Sequence, residues 1–173
     1  MANGEQMPLA NILVDLQREQ YQHDKRNHAD ILCLPKSDRL KHYGLHFAKY
    51  VGRLARGSSE EKSVEQTLVD TLLVSLSAAN TLHQNLDSSS KLDSWSLSNQ
   101  VDPLYPFADA TGRFADACEK IDHLEEFVPI AREANSEIMV WVLSFAHDRN
   151  FDLAPAIASR RKVLAQRQFY IAD

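Results

Sequence analysis

The stretch Val64–Leu86, VEQTLVDTLLVSLSAANTLHQNL, decides the fold. From Leu68 to Ala79 its apolar and small residues leave almost no polar side. A helix that is apolar nearly all round belongs in the middle of a core. Ser58 and Ser59 offer a cap before it. Glu60 and Glu61 would then stand in the first turn, where the helix dipole favours acids. A central helix needs others around it, so the expected fold is all-α: a four-helix-bundle-like core with flanking helices.

Working outward, residues 8–22 read as a first helix, with Leu9, Ile12, Leu13 and Leu16 at helical spacing. Residues 23–36 are polar and mixed, ending near Pro35. A second helix is expected from Ser37 or Asp38 to about Arg56, stopped by Gly57. Residues 87–102 form a Ser-rich linker, which Trp95 and Leu97 would pin to the surface. A fourth helix starts between Pro103 and Phe107 and runs to Phe127, with Phe107, Phe114, Cys118 and Ile121 as its apolar stripe. A fifth follows Pro129 to about Arg149. A last helix covers 153–170, and nothing argues for a sheet.

The whole chain, 1–173, reads as one all-α domain. Within it, a shift of 67 residues aligns LSAANTLHQNL from Leu76 with LSFAHDRNFDL from Leu143, and Phe47-Ala48 with Phe114-Ala115. It also sets Asp70 on Glu137. Pseudo-repeated helix pairs over 37–86 and 103–153 would give this pattern; so would any two amphipathic helices.

Composition narrows the class. The chain is 44% hydrophobic and 25% charged, which is ordinary for a globular protein. Five Gly and six Pro leave few turns and favour long helices. A net charge of −5 argues against a broad nucleic-acid-binding surface, so no extended nucleic acid is expected as partner. Cys33 and Cys118 form no metal spacing and read as free thiols in a reducing compartment. The first residues lack the basic and apolar runs of a signal peptide, and the apolar stretch Ile138–Ala146 is too short to span a bilayer. A cytoplasmic protein with no membrane partner is expected.

The densest candidate chemistry lies between Glu119 and Glu137, EKIDHLEEFVPIAREANSE. Glu119, Asp122 and Glu126 follow i, i+3, i+7 on the fourth helix, and Glu133 and Glu137 follow i, i+4 on the fifth. If the helices pack antiparallel, the two stripes can face each other and hold a hard divalent cation such as Mg²⁺ through oxygen ligands. The plainer reading is a solvated flank paired with Lys120, Arg113 or Arg132. His42 and His46, i and i+4 on the second helix, make a possible metal pair for a His/carboxylate di-metal bundle. Without an HExxH context they read more simply as core or half-exposed histidines. His23-Asp24 and His147-Asp148 are HD doublets without the further ligands such sites need. No P-loop, nucleophile elbow or dinucleotide fingerprint is present.

Several of these segments resemble the MazG-like all-α nucleoside triphosphate pyrophosphohydrolases. SEIMVWVLSFAHDRNFDLAPAIASRRKVLAQR is similar to that family's third helix and tail, with NFDLAPAI in the turn and Arg160, Lys162 and Arg167 in the basic tail. GRFADACEKIDHLEEF resembles the preceding acidic helix. VEQTLVDTLLVSLSAANTL resembles the ExxD helix, with Asp70 at the aspartate position. The set departs from the family at Val140, Thr67, Lys49 and Tyr50, where acids or their partners would stand.

The resemblance implies Mg²⁺- or Mn²⁺-dependent hydrolysis of nucleoside triphosphates to monophosphate and pyrophosphate, by a homo-oligomer. Glu119, Asp122, Glu126, Glu133 and Glu137 would be catalytic metal ligands, joined by Asp70, while Arg160, Lys162 and Arg167 would bind the substrate phosphates. Trp141 or Phe145 would offer a face to the base, although an aromatic there is ordinarily core. The departures favour a second reading, a non-catalytic helical interaction or regulatory module.

Overall fold

The computed structural model describes residues 9–86 and 102–166. Trp95, Leu97, Arg167 and the side chain of Leu9 lie outside the described set. The described residues form seven α-helices and no strand: α1 Leu9–Asn27, α2 Ala29–Leu32, α3 Lys36–Arg56, α4 Val64–Thr81, α5 Leu104–Asp122, α6 Val128–Asp148 and α7 Leu153–Ala165. A 3-10 turn, Gly57–Ser59, joins α3 to α4. The fold is all-α, as the sequence requires, and no described helix is long and apolar enough to cross a membrane.

Helix α3 packs on α4 and α5, and α6 packs on the same two, which closes a four-helix ring. Helices α1 and α7 lie against α4 from outside and touch each other. Thus α4 meets neighbours on every side, and 13 of its 18 residues are buried. Its buried hydroxyls are satisfied: Thr71 Oγ1 donates to the Thr67 carbonyl at 2.7 Å, and Ser75 Oγ to Asn135 Oδ1 at 2.7 Å. Asn135, fully buried on α6, donates back to the Ser75 carbonyl and to Gln84. Phe47 and Phe114 meet edge to face at 5.1 Å where α3 crosses α5.

Several boundaries differ from the expectation. The cap of α4 is Ser63, not Ser58 or Ser59: its Oγ accepts from the Gln66 amide, while Gln66 Oε1 accepts from the Ser63 amide. A reciprocal capping box satisfies two orphan donors at once. Glu60 and Glu61 therefore precede the helix, and Glu60 takes Arg56 instead. Helix α1 runs five residues beyond the expected 22, to Asn27, and α2 follows within the segment read as irregular. Polar residues carry that extension: buried Asp24 accepts from Ser77 of α4 at 2.6 Å. Apolar periodicity does not register such a contact. Helix α5 ends at Asp122 rather than Phe127, because Leu124 adopts a left-handed φ of 59° and the Glu125 amide folds back to the Lys120 carbonyl.

Shifted by 67 residues, Lys36–Arg56 falls within one residue of Leu104–Asp122 at each end. Val64–Thr81 under the same shift ends on Asp148, the last residue of α6.

Candidate functional site

The acids between Glu119 and Glu137 do not gather. Glu119 stands in solvent with His123 Nε2 at 3.4 Å. Asp122 accepts from Lys41 of α3 at 2.5 Å, a bond that raises the lysine's pKa. Glu126 and Glu133 are exposed. Glu137 receives a two-pronged grip from Arg113, which also holds Asp109, and Glu137 leads the causes that push the arginine pKa up. Among the described residues, no group of three or more His, Cys, Asp or Glu is placed to hold a metal ion. The five-acid cluster on facing helices is therefore corrected to separate surface positions. Stripes on two helices share a cation only if they point into one gap, and here Lys41 and Arg113 take Asp122 and Glu137 separately. These acids do not fit a Mg²⁺ site.

Other candidates are redistributed too. Trp141 is core: it stacks on Phe107 at 4.2 Å, and its Nε1 donates to the Pro103 carbonyl. Phe145 is half-buried beside it, with the Arg149 guanidinium 5.7 Å from its ring centroid. Lys162 points outward from α7. His147 is exposed beside Asp148. Cys33 and Cys118 are both free thiols; burial pushes the Cys118 thiol up to about 11.

Asp70 and Arg160 meet elsewhere, on a cavity of about 400 Å³ between α3, α4 and the outer helices α1, α2 and α7. Two helices converge on Asp70 of α4. Arg160 of α7 donates through Nε to Oδ1 at 2.7 Å and through an amino group to Oδ2 at 3.2 Å. Arg53 of α3 donates to Oδ2 at 3.1 Å. Lys49, one turn before Arg53, stands at the same end of the cavity and donates to His46 Nδ1 at 3.1 Å. Three cations thus face one carboxylate, a net of two positive charges.

The electrostatics match. Burial, then Arg53, pulls the Lys49 pKa below its usual value. Burial, then Lys49 and His42, pulls His46 down to about 4. His46 is therefore a neutral ring whose Nδ1 accepts from Lys49 and lies 3.0 Å from the Tyr50 hydroxyl. Burial pushes the Tyr50 hydroxyl well up. Lys49, Arg53 and Arg160 give this end of the cavity its positive charge.

At the opposite end, Asp24 is only 5% exposed. Gln20 Nε2 donates to its Oδ1 at 2.9 Å, His28 Nδ1 lies 3.1 Å from the same atom, and Ser77 donates to Oδ2. Leu73, Val74 and Leu164 line the space between the ends. His42 and His46 stack edge to face at 4.6 Å along one wall. They form no described metal group.

Helix α7 closes this wall with one buried residue among those described, Ile157, and half-buried Leu153, Ala156 and Leu164. Adjacent arginines fasten it. Arg160 holds α4 through Asp70, and Arg161 reaches Gln20, Glu19 and the Leu16 carbonyl of α1.

Sequence reading named both residues, but gave Asp70 to an acidic metal site and Arg160 to the substrate phosphates. It passed over the stripe His46, Lys49, Tyr50 and Arg53, which follows i, i+3, i+4, i+7 and so marks one face of α3. That spacing was the available signal. No family model, no curated protein and no solved structure matches this chain.

Proposed function

We propose that this protein is a non-catalytic helical module that binds a small phosphorylated molecule in the cavity beneath α7. The observation that carries the reading is the convergence of Arg53 and Arg160 on one carboxylate, Asp70, with Lys49 lining the same walled space of about 400 Å³. The volume lies within the range of ordinary small-molecule sites. Guanidinium forks match phosphate oxygens, and the net double positive charge matches a dianion better than a monoanionic carboxylate. Asp70 accepts three of the ten N–H groups that two guanidinium groups carry, so donors remain for a ligand.

The runner-up is the Mg²⁺-dependent pyrophosphohydrolase reading. In its favour, Asp70, the residue at that family's aspartate position, does line the cavity. Against it, the positions where acids would be expected on α3 hold Lys49 and Tyr50. Cations there neutralise phosphate without a metal.

Calorimetric titration with hexyl phosphate and with nucleoside triphosphates, in EDTA and then in Mg²⁺, separates the two. Binding in EDTA with no release of pyrophosphate is expected. Absence of binding in both conditions would overturn the module reading. Release of pyrophosphate only with Mg²⁺ would install the hydrolase instead.

A further inference from the structure

The cavity has two chemically opposite ends, and their separation is set by the helices. Helices α3 and α4 are joined by a short connection and run antiparallel: Arg53 pairs with Asp70 at one end, while Tyr43 lies 3.4 Å from Thr81 Oγ1 at the other. Asp70 and Ser77 both line the cavity, seven residues apart on α4. At 1.5 Å per residue that is on the order of 10 Å. Ser77 Oγ donates to Asp24, so the Asp24 carboxylate sits at the far end from the cations.

Asp24 is fixed as well as buried. Three polar groups from α1, α4 and the residue before α2 surround it, and a carboxylate has about four lone-pair positions. One acceptor position is left on an acid that lines the cavity beside His28, its ion-pair partner when that ring is protonated. Asp30 lines the same end at its exposed rim. The charge therefore changes sign along the cavity, from Lys49, Arg53 and Arg160 to Asp24 and Asp30, across an apolar middle of Leu73, Val74 and Leu164.

We infer that the ligand is an amino phosphate: a molecule with a phosphate for the Arg53/Arg160 end and a protonated amine for Asp24, joined by a mainly apolar span. This rests on the phosphate-binding reading above and adds the second end. A buried carboxylate with an open acceptor position gains a charge-assisted hydrogen bond from an ammonium. A ligand lacking the amine leaves that position unfilled.

The test is a titration of the full chain with three probes built on one six-carbon chain: hexyl phosphate, 6-aminohexyl phosphate and its N-acetylated form. The amine is expected to tighten binding roughly tenfold over hexyl phosphate, and acetylation to remove that gain. In Asp24→Asn the gain is expected to fall below about twofold. Equal affinities for all three probes, or a gain that persists in Asp24→Asn, would overturn the amine end while leaving the phosphate reading intact. Absence of binding by any probe would instead sink the phosphate reading itself. Should Asp24→Asn fail to fold, the acetylated probe decides on the native protein.

Discussion

Asp70 and Glu137 occupy matching places in the two inner helix pairs, and their fates differ. Each sits on the second helix of its pair and faces an arginine from the first: Arg53 for Asp70, Arg113 for Glu137. Over Asp70 lies α7, which adds Arg160 and leaves the carboxylate side chain 9% exposed. Nothing comparable is described over Glu137, whose side chain is 36% exposed. The first arrangement borders a walled cavity with a surplus of positive charge, and the second is a surface ion pair. The difference teaches that a carboxylate's role here depends on what covers it rather than on how many acids surround it in sequence. Coverage removes water, and water is what makes a surface pair nearly worthless.

The comparison can be broken at several points. The largest effect is expected at Asp70→Ala. Two arginines would be left without their shared partner in a covered site, a loss of about 3 kcal/mol in urea unfolding. A loss below about 1 kcal/mol would mean the covered carboxylate is no different from Glu137. Next, Arg160→Gln is expected to weaken hexyl phosphate binding about tenfold while Lys162→Gln leaves it unaltered. Equal effects would show a diffuse positive field rather than a site.

Third comes pH. His46 has a folded pKa near 4 against an ordinary 6.5, so between those values the unfolded chain takes up a proton that the folded chain resists. Stability should therefore fall as pH drops from 6.5 toward 4, by roughly 1 kcal/mol from this group after allowance for its partial exposure. His46→Gln should flatten that part of the stability curve; an unchanged slope would assign the acid sensitivity elsewhere.

The smallest effects belong to the acidic surface. Glu119→Gln and Glu126→Gln are each expected to change stability by no more than about 0.5 kcal/mol. Mg²⁺ is expected to leave the melting temperature in place, and a rise of several degrees lost in these variants would restore the metal reading.

How much of this was legible depends on which signal each residue gives. The all-α class followed from Val64–Leu86, because a helix apolar on every side has one stable environment. The first turn of α6 followed from Pro129, which suits a helix start. The extension of α1 to Asn27 and the existence of α2 were not legible. They rest on Asp24, Gln20 and Ser77 bonding across helices, and polar residues with distant partners look like loop in a single sequence. The site was half legible: Asp70 and Arg160 stood out by resemblance, and the α3 stripe was there in its spacing, but their meeting was not.

By itself, the sequence determined the all-α class, the approximate places of the longer helices and the central place of α4, since these depend on local periodicity and composition. Only the tertiary structure decided which charges meet. Arg160 lies 90 residues from Asp70 and Ser77 lies 53 from Asp24. Electrostatic energy depends on distance in space and on the water between charges, and neither quantity is written in the order of residues.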